Sequence, residues 1–132
     1  MSNYLHTEIT EKILKAFYRV YNTLGFGFLE KVYSRSLMIE LRKEGLEVVK
    51  EHPIDVYYDD YKVGQYFADL IVENKVIVEI KAAEGLCPEH DAQLINYLKA
   101  TDIEVGLLLN FGKTPEKRRK VLSASYKNHN KS

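Results

Sequence analysis

The run Phe67-Ala-Asp-Leu-Ile-Val-Glu-Asn-Lys-Val-Ile-Val-Glu-Ile-Lys81 constrains the fold more than any other part of the chain. Two apolar, β-branched stretches flank the turn signal Glu73-Asn74, the pattern of a hairpin buried on both faces. Asp69, Glu79 and Lys81 are set among these apolar residues. Charged groups are seldom placed there unless they are paired, bind metal or do chemistry. Glu79 and Lys81 are two apart in one strand and project from the same face. Whether Asp69 joins them depends on parity. A two-residue turn at Glu73-Asn74 pairs Asp69 with Val78 and sends it to the opposite face. An odd loop, Glu73-Asn74-Lys75, or a bulge pairs it with Glu79 instead. Asn74 tolerates the left-handed backbone that such loops need. In the odd case two carboxylates and an amine converge. Those oxygens suit a hard divalent cation, and the set suits metal-assisted phosphodiester hydrolysis.

Around this hairpin the chain alternates helical and strand patterns. From Thr7 to about Leu24, apolar residues recur at Ile9, Ile13, Ala16, Phe17, Val20, Tyr21 and Leu24, a helix with one buried stripe and Thr7 as its N-cap. Gly25-Phe-Gly27 interrupts, and a second helix runs from about Phe28 to Glu44, closed by Gly45. Val48–Tyr58 reads as a strand, at an edge or bulged because of Pro53. Tyr61–Val72 and Lys75–Ala83 follow as the hairpin strands. Pro88 opens a helix to about Ala100, and Glu104–Phe111 is a very apolar strand. Glu116–Ser125 is ambiguous between strand and helix, and Lys127–Ser132 is expected to fray. The order α-α-β-β-β-α-β predicts an α/β domain, a mixed central sheet flanked by helices, over residues 1–126 with a basic tail at 127–132.

The 132 residues suffice for one core without disulfides or structural metal. Lys+Arg and Asp+Glu both number 19, so no global positive field announces nucleic acid. The charge is uneven, however. Lys113-Thr-Pro-Glu-Lys-Arg-Arg-Lys120 is basic, either a solvated terminal segment or a phosphate-tracking patch. Cys87 is the single cysteine, read as a small apolar residue, and its isolation fits a reducing cytoplasm. The Met1–His6 segment lacks a basic-then-apolar signal layout, and no apolar run reaches membrane-spanning length. Zinc lacks its cysteines and paired histidines, since His6, His52 and His129 show no ligand spacing. No glycine-rich phosphate loop is present.

Asp69 followed by Glu79-Ile-Lys81 resembles the core motif of the PD-(D/E)XK nuclease superfamily, with Ala68 where the name has proline. Gly27-Phe-Leu-Glu-Lys-Val-Tyr33 resembles the signature of the GxxExxY protein family, a branch of that superfamily. His90-Asp-Ala-Gln-Leu-Ile-Asn-Tyr97 resembles the Gln-x-x-x-Tyr element of RecB-like nucleases, and Leu107-Leu-Leu-Asn-Phe-Gly112 resembles the final core strand. The likeness spans about Glu8 to Leu122. It implies a nuclease dependent on Mg²⁺ or Mn²⁺, with Asp69, Glu79, the Ile80 carbonyl and Glu30 around the metal. Lys81 would position or deprotonate the attacking water, and Gln93 would orient the lysine or the scissile phosphate. Tyr33, His90 and Tyr97 form a second tier. Tyr33 also reads as a core aromatic, His90 as a solvated helix-start histidine, and Tyr97 could pack below the site. Gly27 would let the chain turn into the second helix.

The expected partner is nucleic acid, DNA ahead of RNA, with no membrane and with a homodimer or partner protein supplying surface this small chain lacks. Two rival readings keep the fold without the chemistry. One is a nucleic-acid-binding module, although a buried acidic pair facing phosphate gains such a module nothing. The other is a protein-interaction domain, for which Tyr57, Tyr58, Tyr61 and Tyr66 cluster on one hairpin.

Overall fold

The computed structural model describes residues 5–129, with side chains through Lys127. Helices α1 (Thr7–Leu24) and α2 (Glu30–Lys43) precede strands β1 (Val48–Tyr58), β2 (Tyr61–Val72) and β3 (Val76–Lys81). Helix α3 (Pro88–Lys99) then leads to β4 (Val105–Phe111), β5 (Pro115–Val121) and α4 (Ala124–His129). The expected order therefore holds through β4. The ambiguous stretch after it resolves into strand β5 and a short helix. Thr7 is the first helical residue of α1 rather than its cap, a place taken by His6 in left-handed backbone. At the C-terminus the expected fraying does not begin at Lys127. That side chain is 8% exposed, and its ammonium donates to the carbonyls of Thr101 (2.8 Å) and Ile103. A lysine stem buries readily when its head finds carbonyls. Residues 1–4 and 130–132 and the side chains of Asn128 and His129, on which part of the terminal expectations fall, lie outside the described residues.

One sheet runs in the order β1-β2-β3-β4-β5, antiparallel except for the parallel pair β3–β4 that α3 connects. Helices α1 and α2 cover one face, where Phe17, Tyr33, Leu37, Leu41, Val78, Ile80 and Phe111 form a core. Helix α3 covers the other, packing Leu94, Tyr97 and Leu98 on Ile71, Ile77 and Leu108. Burial of one such large side chain contributes about 1.5–3 kcal/mol. Strands β3 and β4 are buried on both faces, which is why their sequences are nearly unbroken apolar runs.

The β2–β3 loop is odd. Val72 pairs with Val76 and Leu70 with Val78, leaving Glu73-Asn74-Lys75 between the strands. Glu73 and Asn74 both adopt left-handed backbone, at φ 54° and 55°. The β1–β2 ribbon has a second irregularity. Lys50 pairs with Leu70 and His52 with Ala68, so Glu51 and Asp69 face each other, yet they are not paired. Residues of one parity should share a face. Instead Val48 and Leu70 pack on the α1–α2 side, while Ile54 and Ala68 pack on the α3 side. The ribbon turns over at Glu51 and Asp69, and Glu51 absorbs the change at φ 50°.

Candidate metal and active site

Beyond the Leu70–Val78 pair, side chains take over the β2–β3 ladder. The backbone N–H of Asp69 donates to Glu79 Oε2 at 2.7 Å, and the N–H of Ile80 donates to Asp69 Oδ2 at 2.7 Å. The two carboxylates thus lie against one another's strands, each held through one oxygen by an N–H donor, with the other oxygen left for a further ligand. Glu79 is only 4% exposed. Burial, reinforced by the neighbouring Asp69 charge, pushes its carboxyl up to about 8. Burial raises Asp69 as well, against the opposing pull of the Ile80 N–H and of Lys81.

Lys81 follows on the face of Glu79, half-buried, and its ammonium donates to Gln93 Oε1 at a long 3.4 Å. Its charge favours both carboxylates, but it forms no ion pair with either among the described residues. A structural salt bridge therefore does not account for it. Tyr97, one turn beyond Gln93 on α3, is buried and lies 5.9 Å, ring to ring, from Tyr66. Burial and then the charges of Glu79 and Asp69 push its hydroxyl up to about 12. His90 sits in the first turn of α3, where its Nδ1 accepts the N–H of Cys87 at 3.2 Å. That bond closes the helix start, so the structure gives His90 a capping role. Cys87 is half-buried at this N-cap.

Glu30 opens α2 and lines the same cavity as Asp69 and Ile80. Its presentation is built from the preceding loop. Tyr33, fully buried and stacked on Phe111 at 4.2 Å, donates its hydroxyl to the Gly25 carbonyl at 2.6 Å and accepts the Phe28 N–H at 3.2 Å. Gly27, at φ 109°, makes the bend that this clamp requires. Tyr33 is thus a core aromatic that fixes the loop, and it does not line the cavity.

Sequence reasoning missed Glu51. It lines the cavity opposite Asp69, and its charge raises that carboxyl further. Its only signal is a left-handed backbone inside a strand, a feature of the ribbon's turnover that residue type does not reveal. Reasoning from pattern also missed Asn110, fully buried on β4 in register with Lys81. Its amide holds Ala83 through both backbone groups, at 2.9 and 3.0 Å, and reaches Glu116 Oε1 at 3.0 Å. The loop after Lys81 is thereby tied to β4.

The donor set suits a hard cation. Asp69, Glu79 and the carbonyl of Ile80 supply oxygens where the β2–β3 ladder ends, inside the sheet. Among the described residues no three acidic, histidine or cysteine side chains converge on one point. Glu30 lines the cavity that holds Asp69 and Ile80 without joining such a cluster.

No curated protein matches the chain. Among solved structures, the crystal structure of SSO0001 is similar in fold, with a TM-score of 0.54 at 22% identity. The match covers 74% of this chain and 54% of that one, so the chain spans about half the length of that protein. Among the described residues no helix is long and apolar enough to cross a membrane. The family described as the PD-(D/E)XK nuclease superfamily matches residues 7–122, from the start of α1 through β5. That span takes in both helices before the sheet, all five strands and the paired carboxylates between β2 and β3, and the chain belongs to the PD-(D/E)XK nuclease superfamily.

Proposed function

We propose that the protein is a divalent-metal-dependent nuclease that hydrolyses phosphodiester bonds in nucleic acid. The observation that carries this reading is half-buried Asp69 bonded to the strand of buried Glu79, and Glu79 to that of Asp69, where the β2–β3 ladder ends, with Lys81 on the face of Glu79. Asp69, Glu79 and the Ile80 carbonyl would hold Mg²⁺ or Mn²⁺, with Glu30 reaching it through water. When bound, the ion supplies Lewis-acid polarisation of the phosphate and acidifies a bound water. Lys81 orients that water and offsets the charge that develops on the phosphate oxygens. Gln93 fixes the ammonium through its side-chain oxygen. Membership of the GxxExxY branch is supported by the Gly27–Tyr33 clamp that presents Glu30. The protein-interaction reading keeps one supporting observation, since Tyr57, Tyr58 and Tyr61 are 59%, 72% and 75% exposed at the ribbon tip.

The test is cleavage of labelled single- and double-stranded DNA and RNA with Mg²⁺, Mn²⁺ or chelator. Metal-dependent cleavage is expected, abolished in Glu79→Gln. Lys81→Ala should lose about 10²–10³ in rate while calorimetry shows Mn²⁺ binding retained, because the ion is held by oxygens. Cleavage by Glu79→Gln at the wild-type rate would overturn the reading.

A further inference from the structure

A cavity of about 240 Å³ runs between α2 and β1 and ends at Asp69 and Ile80. Its lining mixes both signs of charge. Lys31 and Arg35 are four apart on α2 and share a helical face, and Lys50 joins them from β1. Lys50 has the parity of Val48, which packs on the α1–α2 side, so it too points toward α2. Many cations elsewhere are paired. Lys12, Arg19, Lys43, Lys62, Arg118 and Lys120 all form ion pairs. Among the described residues Lys31, Arg35 and Lys50 form none, although Glu30 and Glu51 line the same cavity. Acids and bases that share a groove without neutralising each other are both left available for ligands of opposite sign.

We infer that this groove holds the phosphodiester backbone of a nucleic-acid strand, with Lys31, Arg35 and Lys50 as its phosphate contacts. The inference rests on the nuclease reading and adds where the substrate lies. A strand approaching Asp69 along this cavity meets the carboxylates of Glu30 and Glu51. The cations set among those acids offset the repulsion and raise the local concentration of substrate. Arg35 offers a planar fork that matches phosphate oxygens, and the two lysines act as point charges. Ser34, between Lys31 and Arg35, adds a hydroxyl to the same lining. Contacts of this kind fix register on the strand and are indifferent to base sequence.

Binding of a labelled 20-nucleotide DNA strand is measured by anisotropy in chelator, across a salt series, for the full chain and for Lys31→Ala, Arg35→Ala and Lys50→Ala. Lys75→Ala, in the β2–β3 loop, is the charge-matched control. Each groove variant should bind several-fold more weakly. The slope of log K against log salt should fall in magnitude by about 0.7 for each phosphate-neutralising cation removed. Lys75→Ala should change neither, and Lys31→Arg should restore the slope. Groove variants that bind like Lys75→Ala overturn the inference, as does a full chain with no salt-dependent binding. The readout uses no metal and no cleavage. Intact binding without hydrolysis therefore sinks the nuclease reading alone, and hydrolysis with unaltered groove variants sinks only the groove.

Discussion

A carboxyl held near 8 inside a sheet means that the metal-free protein and the metal-bound one want different protonation states. The ordinary value of Glu79 is 4.5, and the folded value is higher, so the folded chain binds this proton more tightly than the unfolded chain. Its contribution to stability is complete below about 4.5 and drains away as pH rises toward about 8. Asp69 is raised for the same chief reason, burial, and works in the same direction. In chelator, the melting temperature of the wild type should therefore fall more steeply from pH 5 to pH 8 than that of Glu79→Gln. Mg²⁺ should narrow that difference most at pH 8, because the ion binds the deprotonated pair. Parallel melting curves for the two proteins across this range would show that Glu79 is not held protonated. Both residues were visible in the sequence, because acids standing in an apolar strand contradict their setting. Glu51 was not, since an acid in an exposed edge strand contradicts nothing.

At the level of elements, the decisive feature was the parity of one loop. Glu73-Asn74 signalled a turn, but residue types alone could not choose between two and three residues. The odd loop brings Asp69 to Glu79. The Gly27–Tyr33 segment was similarly half legible. Its glycine and tyrosine stood out, yet the clamp that unites them depends on Phe111, far along the chain. Long-range partners of this kind leave no local pattern. Asn110 shows the same limit, reading as a polar residue near a strand end while serving as a buried latch on Ala83. Replacing it with leucine strands the Ala83 backbone groups, while Glu116 keeps the Leu86 N–H. A buried polar group left unsatisfied costs about 1–3 kcal/mol. Asn110→Leu should therefore lower stability by that order in denaturant titration. Hydrogen exchange should speed up selectively at residues 82–86, the loop behind Lys81. Unchanged exchange there would mean that the loop holds itself.

Across the whole molecule the charge is balanced, and the question is where each sign is spent. The basic run that stood out in the sequence is β5, and the structure uses it internally. Arg118 and Lys120, two apart on one face, both pair with Asp91 of α3, the latter at 3.2 Å. Arg119, on the opposite face, donates to the Leu5 carbonyl at 2.6 Å, and Lys117 lies over the Tyr18 ring at 5.3 Å. The strand thus ties α3 to one side of the sheet and α1 to the other, and its charges also discourage edge-to-edge pairing with another chain. Runs of like charge reveal composition but not partners, so this use could not be read from spacing. The variant Arg118→Gln with Lys120→Gln separates the two roles. Each pair is partly solvated, and such pairs contribute about 0.2–1 kcal/mol. The double variant should therefore melt modestly lower, and Asp91→Asn should do the same. The double variant should not alter the salt slope of nucleic-acid binding, because the cations it removes were already engaged with Asp91. If the double variant instead loses binding while melting normally, the phosphate track lies along β5. The cations between α2 and β1 would then be no more than solvated side chains.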